Sequence, residues 1–354
     1  MDKLLERYKD IQERYELWWQ GRGSIVNVNV SETNSGDGYQ LGCFGPEWYE
    51  RYHTDPKFNA EENRKRINET PLIGDTIPVA MSDYGVNTLA SYFGCDERFA
   101  EDTIWYDPFL SDDTQDQILS VDPDNKWWKV HLEILNELKK YDNEFFVGLA
   151  ALTQGIDCLF SVRGSEIMSD FYTRPAWVHE KLKQIQSEFF KAFDLMYDLT
   201  KREDGSMVFG YFSLWGKGKT TQTQCDISAM ISPGMFDEFV MPYLTDCCDR
   251  MEKTLYHLDG TQAAIHLPSL LSIKSLNAIE WSPQSSLEGG GNPRWYELYE
   301  KILSAGKALQ VVESGPEETV ELFRHFGSAG LYVMTTRMSR QEAERMLEQL
   351  EKYR

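Results

Sequence analysis

Thr254-Leu-Tyr-His-Leu-Asp-Gly260 is a short strand-forming run closed by a glycine. Side chains alternate along a strand, so His257 and Asp259 face one way. Tyr256 and Leu258 face the other, where an apolar layer suits them. A strand that ends on an imidazole and a carboxylate carries chemistry or a metal-ligand pair to the end of a sheet. The plainer reading is a histidine and an aspartate that satisfy each other at a strand–helix turn.

Downstream of this run the chain alternates regularly. Residues 268–276 read as helix and Asn277-Ala-Ile-Glu-Trp281 as strand; residues 293–305 read as helix and Ala308-Leu-Gln-Val-Val312 as strand. Residues 316–326 then read as helix, Gly330-Leu-Tyr-Val-Met-Thr335 as strand and 339–353 as the last helix. Upstream, strands are expected at 24–30, 77–81, 144–150 and 206–212, which makes eight candidates counted from Ile25. Glycines follow the helices and polar residues follow the strands, which favours an α/β chain closed as a (β/α)8 TIM barrel. An open doubly wound sheet ranks second, because no Gly-x-Gly-x-x-Gly follows the first strand.

Residues 1–23 form an N-terminal helical extension with Leu5, Tyr8, Ile11, Tyr15, Trp18 and Trp19 on one stripe, and residues 24–354 form the barrel domain. In Ser24-Ile-Val-Asn-Val-Asn-Val30, Asn27 and Asn29 share the face opposite the valines and need hydrogen-bond partners there. Residues 31–70 read as a long loop followed by a helix over 61–69. Residues 92–121 read as an excursion with a small hairpin, and 214–219 as a Gly-Lys loop without phosphate-loop spacing.

Composition narrows the function. The 354 residues are 41% hydrophobic, enough for a large core, and 36 basic against 57 acidic side chains leave a net charge of −21. Such a surface repels phosphate backbones, so no nucleic-acid partner is expected. Six scattered cysteines without C-x-x-C spacing suit a reducing cytoplasm, and no long apolar run suggests a signal peptide or membrane span.

Barrel enzymes place their chemistry at the C-terminal strand ends. Those ends offer Asn29 and Glu32, Ser82 and Asp83, Tyr211 with Trp215, His257 and Asp259, Glu280, Glu313, and Thr335 with Arg337. Alternation puts Glu280 opposite Ile279 and Trp281, hence on the inner face if Ile279 packs on helices. His257, Asp259 and Glu280 then converge as the ligands of a divalent metal, as a metal-free catalytic acid–base cluster, or as a polar plug. Asn27, Asn29, Tyr211, Trp215, Trp281 and Arg337 are candidates for substrate contact. His266 reads as a helix-end or surface residue and Cys225 as a structural thiol.

The run Asp226-Ile-Ser-Ala-Met-Ile-Ser-Pro-Gly-Met-Phe-Asp-Glu-Phe-Val-Met-Pro-Tyr-Leu244, with Tyr256-His-Leu-Asp-Gly260 and Leu276-Asn-Ala-Ile-Glu-Trp281, resembles the uroporphyrinogen decarboxylase superfamily. Ile77-Pro-Val-Ala-Met81 and Tyr92-Phe-Gly94 are similar too. The resemblance is nearest to its cobamide-dependent methyltransferases and implies a TIM barrel, zinc held at the end of a strand, and a corrinoid carried by a partner protein. His257 falls on the histidine of that branch's His-x-Cys zinc pair, Asp259 replaces the cysteine, and Glu280 lies where the related methionine synthases supply a glutamate. Val333-Met-Thr-Thr-Arg337 lacks the later cysteine. Carboxylates in place of thiolates imply a harder site, open to other divalent ions. The resemblance also keeps open a decarboxylase, for which Arg337 and Arg163 would be the substrate cations, and a non-catalytic corrinoid or tetrapyrrole binder. The chain is compatible with a homodimer.

Overall fold

The computed structural model describes residues 2–31, 45–82, 85, 87–99 and 104–354. Two sheets dominate. One has six strands: β1 (Ser24–Asn27), β6 (Thr220–Gln224), β7 (Lys253–Asp259), β8 (Ala278–Ser282), β9 (Ala308–Ser314) and β10 (Leu331–Thr335). They run parallel in the order β1-β10-β9-β8-β7-β6. The other has β2 (Val79–Met81), β3 (Phe146–Leu149) and β4 (Ser206–Phe209) in parallel, with β5 (Leu214–Lys217) antiparallel at the edge. No ladder of hydrogen bonds joins the two sheets among the described residues.

Helices lie between most strands, and their ends carry the signals that place them. Pro175 occupies the first turn of the helix Pro175–Thr200, Ser232 caps Pro233–Phe239, and Ser339 forms a capping box with Glu342. Val26, Ala80, Val147, Leu258, Ile279, Trp281, Val311 and Val333 face these helices in one large apolar core.

The opposite faces of both sheets share a second, smaller core. Ile25, Val79, Phe146, Val208, Leu255, Ala278 and Ala308 meet there, each one residue out of phase with the helix-facing set. The N-terminal segment closes it from below. Helix α1 (Lys3–Arg7) is capped by Asp2, whose carboxylate accepts from the Leu4 and Leu5 amides, and α2 (Lys9–Trp19) follows after a break at Tyr8. From α2, the Trp18 indole donates to Leu309 O at 3.3 Å in the six-stranded sheet, and the Trp19 indole donates to Trp215 O at 2.9 Å in the other. The stripe read from the sequence therefore packs as core, in two helices rather than one.

Several expectations need correction. The 214–219 loop is instead an antiparallel strand followed by a tight turn, and β6 was not anticipated, because Thr-Thr-Gln-Thr-Gln carries no apolar alternation. The 24–30 strand breaks after Asn27 and resumes as the short strand Val30–Ser31, paired with Met338–Ser339. Within 31–70 lie two helices, Pro46–Thr54 and Pro56–Glu69. The excursion does hold a hairpin, Asp96–Phe99 against Ile104–Asp107. Glu32 and Asp83 lie outside the described residues. No helix among the described residues is long and apolar enough to cross a membrane.

Candidate functional site

Strand β7 sits between β6 and β8, and the ladder puts His257 level with Gln224 on one side and Glu280 on the other. Adjacent strands lie about 4.8 Å apart, so side chains in register on one face touch. Glu280 is fully buried; its Oε2 pairs with His257 Nδ1 and its Oε1 accepts from Ser282 Oγ at 2.8 Å. Both oxygens of Glu280 are thus occupied, and Nε2 is the nitrogen of His257 left for another partner.

Asp226 reaches the same place from the turn after β6. A relay along that strand holds it: the Gln222 amide donates to Gln224 Oε1 at 2.7 Å, and the Gln224 amide donates to Asp226 Oδ2 at 2.7 Å. The turn itself is clamped by Asp157, in the first turn of helix α3 (Gly155–Arg163). Its buried carboxylate accepts from the Asp226 amide at 2.7 Å and the Ile227 amide at 3.2 Å. Asp226, His257 and Asp259 bring one ligand atom each within 4.8 Å of one another.

The charges are interdependent. Burial opposes a charge on His257, but the carboxylates of Glu280, Asp226 and Asp259 outweigh it and lift the imidazole to about 9. Asp226 retains solvent contact as a residue, yet packing around its carboxyl, with Asp157 and Asp259 nearby, raises it to about 7 against the pull of His257. Burial likewise raises Asp157, opposed by its two backbone hydrogen bonds. The pocket thus concentrates acidic groups around one imidazole, an arrangement that accepts a cation or passes a proton.

Of the metal set expected from sequence, His257 and Asp259 come together and Glu280 stands behind His257, outside the group of three. Asp226 takes the third place. Its signal was present in Gln222-x-Gln224-x-Asp226, three polar side chains at a spacing of two, which the apolar template for strands passes over.

The substrate candidates divide. Asn27 and Asn29 line a cavity of about 280 Å³ together with Tyr211. Asn29, Tyr211 and Arg337 line a second cavity of about 680 Å³ beside it, whose wall includes Phe212. The Phe212 ring lies 5.4 Å from the His257 ring, centroid to centroid, so this side chain separates the larger cavity from the imidazole. Trp215 and Trp281 do not reach either cavity. Trp215 is buried in the lower apolar core, and Trp281 packs against Trp295 on the helix-facing side, because its parity is that of Ile279 rather than Glu280. Arg163 is also removed from the mouth, buried and bonded to Asp170 and Asp112. His266 is buried rather than on the surface: it stacks on Phe236 and its Nε2 bonds to Ser228 O at 2.9 Å, tying the turn after β6 to the one after β7. Cys225 is buried, as expected of a structural thiol.

No protein-family model matches this chain, and no curated protein does. Among solved structures its fold is similar to that of a methyltransferase from Methanosarcina mazei, with a TM-score of 0.60 and 11% sequence identity over 97% of this chain and 99% of that one. At that identity the likeness is one of fold.

Proposed function

We propose that the chain is a metal-assisted methyltransferase acting on a small molecule at the open end of a (β/α)8 barrel. The observation that carries this reading is the convergence of Asp226, His257 and Asp259 at the strand ends of a fold similar to a methyltransferase over almost its whole length. Residues 24–354 are then the catalytic domain, and the N-terminal helices α1 and α2 are its floor.

The donor set fits a divalent ion, since it offers one imidazole nitrogen and two carboxylate oxygens within coordinating reach of each other. Asp226, His257 and Asp259 would hold the ion, zinc or a harder metal, and a bound ion supplies Lewis acidity toward the atom that gains or loses the methyl group. Glu280 does not ligate in this reading. It holds the Nδ1 side of His257 and fixes the ring, as carboxylates behind ligating histidines do. Asp157 and the Gln222–Gln224 relay fix Asp226 in the same way. The cavity beside Phe212 would take the small molecule, and a corrinoid carried by a partner protein would serve as methyl donor or acceptor at the mouth.

A decarboxylase is the second reading, favoured by the proton that His257 holds up to about 9, which could be delivered to the carbanion left by loss of CO₂. The carboxylates around that histidine repel an anionic substrate and weigh against it.

The test is elemental analysis after metal loading and dialysis, beside a His257→Ala variant, with an absorbance assay for demethylation of methylcobalamin. About one metal per chain, lost in the variant together with demethylation, is the expected result. Loading of neither protein removes the metal from the proposal. Uptake of cobalamin with no turnover favours a non-catalytic binder.

A further inference from the structure

We propose that the cavity of about 280 Å³ in the gap between β1 and β2 is a binding site for a small carboxylate, held by Arg66. The site stands apart from the metal reading, because none of Asp226, His257 and Asp259 lines it.

Its first support is how the barrel wall is built there. Strands β1 and β2 form no ladder with each other among the described residues, although β1 pairs with β10 and β2 with β3. The edges that face the gap carry backbone groups that need partners. Asp75 serves the β1 edge: its amide donates to Val26 O at 2.8 Å, and its Oδ2 accepts from the Val26 amide at 2.8 Å. Just beyond β1, the Val28 amide donates to Thr76 Oγ1 at 3.0 Å. The β2 edge is served by the helix Pro56–Glu69. Val79 O accepts from Arg66 Nη2 at 2.6 Å, and the Asn63 side chain accepts from the Met81 amide at 2.8 Å and donates to Met81 O at 3.0 Å. With both edges satisfied from elsewhere, nothing draws the strands together. The opening is a feature of the fold and not a packing fault.

The second support is the charge placed in that opening. Among the described residues the cavity wall holds one cation, Arg66, and no acid. Arg66 is half-buried, and its Nη2 is spent on Val79 O and on Asn63 Oδ1 at 3.0 Å. The N–H groups of Nε and Nη1 have no acceptor among the described residues. A guanidinium that has lost water and keeps idle donors is under-compensated, in a chain with 57 acidic side chains to draw on. A carboxylate oxygen of a ligand supplies what the wall withholds. Asn29 and Ser213 border the same cavity and offer an amide N–H and a hydroxyl to the second oxygen. Ile67, Leu72 and Met81 make the rest of the wall apolar, which suits a short hydrocarbon tail.

The experiment is calorimetric titration of the full chain, metal-free, with acetate, propionate, hexanoate and neutral propionamide. Propionate should bind at least about tenfold more tightly than propionamide. Arg66→Gln should abolish that preference. Because Arg66 also bonds β2, a second variant, Leu72→Trp, fills the cavity and leaves the guanidinium's own bonds in place; it should stop propionate binding while Tm shows a folded chain. Equal binding of acid and amide, a preference that survives Arg66→Gln, or undiminished binding in Leu72→Trp overturns the proposal. Affinity that falls from propionate to hexanoate upholds it for a free short acid. Affinity that rises upholds it for the carboxylate end of a longer molecule reaching past Tyr211, which lines both cavities. His257→Ala should bind propionate as the wild type does, so failure of the metal reading leaves this site standing; loss of propionate binding in that variant would move the acid to the imidazole and overturn the assignment to Arg66.

Discussion

Leu255 and His257 stand two residues apart on β7 and point the same way, yet they belong to different worlds. Leu255 lies in the apolar floor with Ile25, Phe146 and Ala278, sealed by Trp18 and Trp19. His257 lies one pleat higher, against Glu280 and near Asp226 and Asp259. The same step separates Ala278 from Glu280 on β8 and Ala308 from Gln310 on β9. A single inner surface thus changes from stabilising core to reactive pocket over one strand repeat, about 7 Å. The floor can be dry because helix α2 covers it; the upper layer must be polar because its groups have only each other and solvent to bond.

Moving the boundary downward should do the most damage. Leu255→Asn removes packed methyl groups from the floor and buries an amide there, and is expected to cost about 4 kcal/mol in denaturant unfolding. An unchanged midpoint would mean the floor is wet. Next in size is a pH effect confined to the upper layer. His257 is raised to about 9 in the folded chain, so its contribution is fully present below its ordinary value of 6.5 and is lost as pH rises through 9. The metal-free protein should lose about 3 kcal/mol, as an upper figure, between those values, and Glu280→Gln should flatten that slope. A slope that survives the substitution would place the titrating group elsewhere.

Moving the boundary upward should help stability and end function. His257→Leu combined with Glu280→Leu replaces a buried charged pair by apolar groups, with an expected gain of about 1–2 kcal/mol and complete loss of metal uptake. A large loss of stability would show that the pair does structural as well as chemical service. The smallest effect is at Gln222, the polar residue of β6 level with Leu255. Gln222→Leu should leave unfolding within about 1 kcal/mol of wild type and weaken metal binding less than about tenfold, by freeing Gln224. Undiminished affinity would show that the relay is ornamental to the site.

The parts of the site that were legible in the sequence share one property: they sit on strands with apolar alternation. Reading His257 against Tyr256 and Leu258, and Glu280 against Ile279 and Trp281, gives the correct inner face for both. The same parity argument places Trp281 among the helices, so its inclusion as a substrate contact went against the chain's own alternation. Asp226 and Asp157 were hidden for a different reason. The first follows a strand of threonines and glutamines, and the second is a helix residue that reaches a turn about 70 positions away, so no local pattern links them. Glu313 was visible as a strand end, but the left-handed bulge beneath it was not.

By itself the sequence determined the alternation of strands and helices, the direction each inner side chain takes and the acidity of the molecule, because periodicity, capping and charge are local or additive. Tertiary structure alone decided which carboxylates surround the imidazole, which one stands behind it, and where the chain holds strain. Those outcomes depend on register between strands distant in sequence and on which buried oxygen finds a donor first, and neither is written in any short stretch of residues.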